Sequence, residues 1–511
     1  MYLLLIAVTG ILYWPVIEYE FLFLDDPAYV VENEHVLKGL TLDGIFWALG
    51  SMQVGNWHPL TWISHMLDVE WFGMSSGYHH LTNVFFHAAN GVLLVLFLSR
   101  ATGAVYPSLL VGLLFLLHPA HIESVAWVSE RKDVLSTFFF MLVLNSYLGY
   151  FRKRTAQSLL LVCLFLLLGL MSKAMLVTVP VILLLLDIWP LKRLSLSDFS
   201  FSALIPLVKE KLLLFALALL VVVLTYLAQH GGGAMHFGET FTLLDRLANA
   251  FVSVSRYFLK FFYPVDLAVF YPHPGKWPLP AVSFSVVFVF GVTLLTIWQA
   301  NKRPYLIAGW MFFLVTLMPV IGIVQIGAQS IADRYTYIPY VGIFIMFAWG
   351  LHDIVDEKKH WLEPLVAVVL LMIISHFLLS SQYLRTWRND TTLLENQLDV
   401  FESHYLDVLT PAATEDYLQR VRHRLALSYL NEALSLLKSS EFISARNKLL
   451  KSISYNEKDY RSWQSLATIE VRKGNYSEAE LLLLKAASLA PTLKPLFDHD
   501  IELIRKLKNK Q

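Results

Sequence analysis

The chain has 511 residues, 56% of them hydrophobic and only 16% charged, with a mean hydropathy of +0.55. A soluble protein of this size carries about a quarter charged residues, so the composition is that of a polytopic membrane protein. Basic and acidic residues balance at 40 each, which gives no electrostatic footprint for a nucleic-acid partner, and the one cysteine, Cys163, excludes an intramolecular disulfide framework and any cysteine-built metal site.

The chain opens on an apolar run, Met1 to Tyr13, that continues past Pro15 to Phe23. It has the character of a signal peptide but no small-residue cleavage site, so it reads as a retained first span. Asp25 and Asp26 follow at once. Acids here are costly in lipid. In a loop they can serve as a general base or orient a polar acceptor, or else cap the next helix. With a crossing needing roughly 17–25 residues, spans are predicted near 3–21, 80–99, 104–119, 134–150, 158–172, 174–190, 210–228, 280–298, 304–324, 336–351 and 361–380. Arg100, Arg152 to Arg154, Lys192 with Arg193, Lys302 with Arg303, and Lys358 with Lys359 fall in alternate turns. That positive-inside pattern places the amino terminus in the cytoplasm, and about eleven spans carry everything after Ser381 to the opposite face. The stretch 243–263, broken by Asp245, Arg246, Arg256 and Lys260, reads as an interfacial or re-entrant helix.

The predicted outer loops collect polar groups. The first, 22–79, holds Asp25, Asp26, Asn33, His58, His65, Asp68, His79 and His80. The next holds His118-Pro119-Ala120-His121-Ile122-Glu123 and then Glu130-Arg131-Lys132-Asp133. Later ones add Lys173 and Asp333-Arg334-Tyr335. Polar groups gathered on one face of a membrane bundle line a site or form a solvated rim; the aromatic and apolar residues between His118 and Asp133 suit a groove better.

From Ser381 the composition becomes that of a soluble helical domain. Trp463, Leu466, Ala467, Gly474, Tyr476, Ala479, Leu483, Ala486 and Pro491 match the 34-residue tetratricopeptide pattern, and Ala433, Phe442, Ala445 and Leu449 repeat it one period earlier. Segment 385–425 reads as a degenerate first unit and 495–509 as a polar capping helix. Such an array offers a concave face to an extended peptide; a spacer or dimerisation role is the alternative. The predicted fold is therefore all-α: a polytopic membrane bundle over 1–380, then an extracytoplasmic α-solenoid over 381–511.

These segments resemble those of the transmembrane and tetratricopeptide-repeat proteins, GT-C-type glycosyltransferases related to protein O-mannosyltransferases. The likeness rests on Asp25-Asp26-x-x-Tyr29 with Asn33, Trp57-His58-Pro59-Leu60-Thr61, Tyr78-His79-His80-Leu81-Thr82-Asn83 with His87, and His118-Pro119-x-His121-x-Glu123-x-Val125-Ala126-Trp127. Arg131-Lys132-Asp133, Ser172-Lys173, Asp333-Arg334-Tyr335 with Tyr337, and Trp387-Arg388-Asn389-Asp390 extend it over nearly the whole chain. It implies a multi-span enzyme that takes a sugar from a polyprenyl-phosphate carrier and passes it to a protein or glycan acceptor on the non-cytoplasmic side. The short repeat array and the compact loop near His230 to Thr240 depart from eukaryotic members and point to a prokaryotic cytoplasmic membrane.

A lipid-phosphate leaving group needs cations at the membrane surface. Arg131, Lys132, Lys173 and Arg334 are the candidates, against a reading of each as an interfacial anchor or ion pair, which suits Lys132 beside Asp133. Arg131 and Arg334 are expected to share one phosphate. The resemblance points to Asp25 as the base, with Asp26 and Glu123 as the other candidate acids and a single inverting displacement expected. His58, His79, His80, His118, His121, Asp333 and Tyr335 are expected to line the site. His118 and His121 with Glu123, joined by His79 and His80, could bind a divalent metal, but hydrogen bonding to the donor phosphate or to Asp25 is the preferred role, and no metal or cofactor is assigned. A lipid-linked sugar transporter and a non-catalytic envelope scaffold are the competing functions; the clean spans argue against the transporter.

Overall fold

The computed structural model describes residues 1–194, 200–231, 241–324, 327–406 and 408–509. The loop near His230 to Thr240 lies almost wholly outside them. The protein is all-α, with one short antiparallel pairing of Tyr271–Pro272 on Gln329–Ile331 among the described residues.

Each of the eleven predicted spans falls on a helix. Among the described residues, five helices are by length and composition able to cross a membrane: Ser76–Thr102, Val128–Lys153, Leu212–Gln229, Leu279–Gln299 and Lys359–Thr386. A sixth is Val105–Leu117 continued by Pro119–Ala126 after a bend of 55°. The bend has a local cause. His118 is extended, Pro119 takes the first position of the next turn, and the His118 ring accepts from the Ala120 N–H at 3.2 Å. The other predicted spans differ from a full crossing. Tyr2–Glu18, Ala156–Leu170, Ala174–Ile188 and Pro304–Leu317 are short, and Tyr340–Glu357 ends in Asp353, Asp356 and Glu357. These apolar helices make the chain an integral membrane protein.

The stretch 243–263 is one amphipathic helix, Leu243–Phe262, started by a capping box between Thr242 and Asp245. It buries Asn249, Val252, Tyr257 and Phe261 and leaves Leu244, Leu259 and Phe262 exposed. Close helix contacts rest on small residues. A Cβ on Gly309 or Gly342 would collide with the other's carbonyl oxygen, so the two glycines let Pro304–Leu317 lie directly on Tyr340–Glu357.

The first predicted loop is itself helical. Leu42–Gly50 and Pro59–Phe72 enclose a core of Tyr29, Val30, Val36, Trp62 and Met66. The chain divides into two compact units, Met1–Asn389 and Asp390–Gln511. The boundary lies beyond the expected residue 380 because the helix Leu362–Thr386 runs on, and Trp387 is buried against Trp127 with Arg388 accepting from Glu20 N at 3.0 Å. In the second unit consecutive helices pack on one another, from Asp390–His404 to Lys494–Lys508. Ala433, Ala445, Leu449, Ala467, Ala479, Leu483 and Ala486, the positions that carry the repeat pattern, form its core.

Candidate functional site

A cavity of about 540 Å³ in the first unit is bordered by Asp25, Tyr29, Glu130, Lys132, Lys173, Arg334 and Tyr335, brought together from four separate stretches of the sequence. Asp25 precedes the turn Pro27–Val31, and its carbonyl accepts from Tyr29 N at 3.0 Å. Its side chain remains 44% exposed, 4.0 Å from Lys132 Nζ.

Asp26 is different. It is fully buried and accepts from Leu22 N at 2.8 Å, from Ser129 N at 2.9 Å and from Ser129 Oγ. It ties the first loop to the turn at Val128–Glu130 and does not border the cavity. Burial pushes its carboxyl up to about 6, against the opposing pull of those hydrogen bonds. The protonated form is therefore favoured by folding. Its stabilisation is fully present below the ordinary carboxylate range near 4 and is lost as the pH rises through about 6. Thermal unfolding of the wild type and of Asp26→Asn at pH 4 to 7 checks this, with the wild type expected to lose ground to the variant across that window.

Three of the four predicted cations reach the cavity. Lys132 Nζ is 3.0 Å from Glu130 and 4.7 Å above the Tyr29 ring. Lys173, extended just before the turn Ala174–Thr178, bonds Asp133 and lies 3.6 Å from Glu130. Arg334 is anchored by Glu123, which accepts from its guanidinium and, at 2.9 Å, from its backbone N–H. Its guanidinium stands 5.5 Å over Trp127 and 5.2 Å over Tyr335. Lys132 is thus both ion-paired and at the cavity, where the sequence favoured the first alone.

Arg131 corrects the expectation. It is fully buried and faces away, donating to Ser64 Oγ at 2.7 Å, Asp68 at 2.6 Å, the His79 carbonyl at 2.9 Å and Asn83. It does not share a phosphate site with Arg334. Successive residues of a helix point about 100° apart, which separates Arg131 from Lys132.

Glu123 is fully buried as the partner of Arg334 and is not at the cavity wall. The histidines are buried and turn mostly to the backbone. His79 meets the Gly73 carbonyl at 2.9 Å, His80 the Glu20 carbonyl at 3.2 Å, His118 the Phe261 carbonyl at 3.3 Å and His121 the Phe115 carbonyl at 2.8 Å. The expected bonds from His118 and His121 to a donor phosphate or to Asp25 are therefore replaced by bonds that fix the bent span. His58 stacks on Tyr29 and lies tilted against Trp62 at 4.9 Å between ring centres, and burial pushes its ring down to about 3. Asp333 is buried, accepting from Tyr271 OH at 2.6 Å with Lys260 at 3.8 Å, and burial raises its carboxyl. Tyr335 does line the cavity, its hydroxyl accepting from Gln329 at 2.9 Å.

His65, Asp68 and His79 bring potential ligand atoms within 4.8 Å of one another, a different set from the one considered in the sequence. They fit a metal poorly. Asp68 already pairs with Arg131 and accepts from Thr82 at 3.0 Å, so a cation there would stand beside a buried guanidinium. Glu130 stands in a charged run with no role expected from the sequence, yet all three cavity cations approach it. Its signal was its place at the mouth of a span between those charges.

No family model matches the chain. Protein O-mannosyl-transferase TMTC4 of Mus musculus is 23% identical over 448 residues, 75% of this chain and 59% of that protein. The Homo sapiens TMTC4 is 23% identical over 454 residues, with the same coverage. Drosophila melanogaster Tmtc1 is 29% identical over 179 residues, 34% of this chain and 21% of that protein. The curated relatives are TMTC-family protein O-mannosyl-transferases. The TMTC likeness spans 59% of the length of the TMTC4 relatives.

Proposed function

We propose that this TMTC-like chain is a membrane glycosyltransferase that moves a sugar from a polyprenyl-phosphate carrier to a protein or glycan acceptor on the non-cytoplasmic face. The observation that carries the reading is one cavity bordered by a half-exposed acid, Asp25, and by three cations, Lys132, Lys173 and Arg334. The relatives' names favour mannose as the sugar and protein as the acceptor. A lipid-linked donor fits the cavity wall. Val222, Thr225 and Tyr226 of the span Leu212–Gln229 line it, while Leu219, Leu220 and Leu227 of the same helix are apolar and exposed.

In the reaction, Asp25 takes the proton of an acceptor hydroxyl as its oxygen attacks the anomeric carbon. The bond from that carbon to the phosphate oxygen breaks, and its electron pair leaves on the lipid phosphate. Lys132, Lys173 and Arg334 stabilise the charge that develops there. Glu130 also borders the cavity, but three cations hold its carboxylate, which blunts it as a nucleophile and favours one inverting displacement. The repeats of Asp390–Gln511 are assigned to acceptor or partner binding.

Binding of a polyprenyl phosphomannose to the purified chain tests the donor site. Lys173→Ala and Arg334→Ala each remove a charge-assisted contact of roughly 1.5–3 kcal/mol, so the dissociation constant should rise about tenfold or more. Arg334→Lys should be milder than Arg334→Ala, since it keeps charge but not the planar fork. Unchanged donor binding in both alanine variants would remove the cations from the donor site.

A further inference from the structure

Glu130 is buried to 1% exposure yet borders the cavity, and three cations converge on its one carboxylate. Lys132 Nζ lies 3.0 Å and Arg334 Nε 3.5 Å from Oε1, and Lys173 Nζ lies 3.6 Å from Oε2. Each cation also has an acid of its own: Asp25 for Lys132, Asp133 for Lys173 and Glu123 for Arg334. The outer acids hold the cations in place without Glu130. What Glu130 adds is a negative charge at the one point all three share, which is where an incoming phosphate must also be met.

We propose that Glu130 is an internal counter-ion that sets the preference of this cavity between the sugar-bearing donor and the spent lipid phosphate; the inference rests on the donor class proposed above. The two ligands differ in charge. A sugar phosphodiester of a lipid carries one negative charge, whereas the monoester left after transfer carries about 1.5 to 2 at neutral pH, because its second pKa is near 6. Three cations without a shared counter-ion would hold the spent carrier more tightly than the donor and retard its release. A fixed carboxylate repels each ligand in proportion to its charge, so it weakens the monoester more than the diester. Glu130 thereby favours exchange of product for substrate.

The experiment is equilibrium binding of a polyprenyl monophosphate and of the matching polyprenyl phosphomannose to the purified full-length chain. The wild type should bind the two within about threefold of each other. Glu130→Gln keeps the shape and removes the charge; it should tighten both ligands, and the monophosphate by about tenfold more than the donor. Glu130→Asp should retain a ratio close to that of the wild type. An unchanged ratio in Glu130→Gln, or weaker binding of both lipids, overturns the inference and leaves the donor reading standing. A wild type that prefers the monophosphate by tenfold or more also overturns it, with no variant needed. A wild type that binds neither lipid removes the donor reading and this inference together.

Discussion

Asp25→Asn should lower sugar transfer by about 10²–10⁴-fold, the usual loss when a general base is removed, while donor binding stays near that of the wild type. The amide keeps the size of the side chain and cannot take a proton. The Asp25 side chain is 44% exposed and meets Lys132 Nζ only at 4.0 Å, so the fold should tolerate the change. Asp26→Asn is the contrasting variant. Its carboxylate holds Leu22 and Ser129, so its effect belongs to stability and not to the chemical step. Steady-state transfer by both variants, with thermal unfolding alongside, separates the roles. Near-normal turnover in Asp25→Asn would take the base away from this residue.

Arg131→Ala should have the largest effect on folding. The substitution leaves Asp68, 2% exposed, as a buried charge that keeps, among the described residues, the Thr82 hydroxyl and the nearby rings of His79 and His65 but no guanidinium. Breaking a buried pair by removing one member costs about 3–5 kcal/mol. Arg131→Ala should therefore reduce the yield of folded protein and its unfolding temperature sharply. The double variant Arg131→Met with Asp68→Asn, which removes both charges, should recover much of that loss. If Arg131→Ala instead unfolds like the wild type and binds donor tenfold more weakly, Arg131 returns to the phosphate site.

Asp25 and Arg131 show how far the sequence can be read. Hydropathy located a helix at each of the eleven expected spans, but among the described residues only six, counting the bent pair as one, are long and apolar enough to cross, since an apolar run reports burial more directly than a full crossing. Spacing likewise placed the core alanines of the second unit, since a 34-residue period repeats the same packing position. Adjacent residues were harder. Asp25 and Asp26 look alike in a loop, and only the approach of Ser129 from a distant segment buries one of them. Arg131 and Lys132 carry the same sign, and the direction each takes from the helix start decides which meets the cavity and which meets Asp68. Glu130 was hidden for the converse reason: an acid in a charged run reads as a solvated rim until Lys173 and Arg334 arrive from segments far along the chain. The histidines of the bent span misled because their rings bond to backbone carbonyls, a tertiary outcome that no spacing announces.

The proposed reaction transfers a sugar from a lipid phosphate to an acceptor hydroxyl. It is tested most directly by incubating the purified chain with polyprenyl phosphomannose, labelled in the sugar, and with a serine- and threonine-bearing envelope protein, then following both products. Label should appear on an acceptor hydroxyl, with lipid monophosphate released in equal amount, and both products should be lost in Asp25→Asn. Labelled lipid that crosses a reconstituted membrane intact, with no acceptor labelled and no monophosphate released, would contradict that reaction and make the protein a transporter.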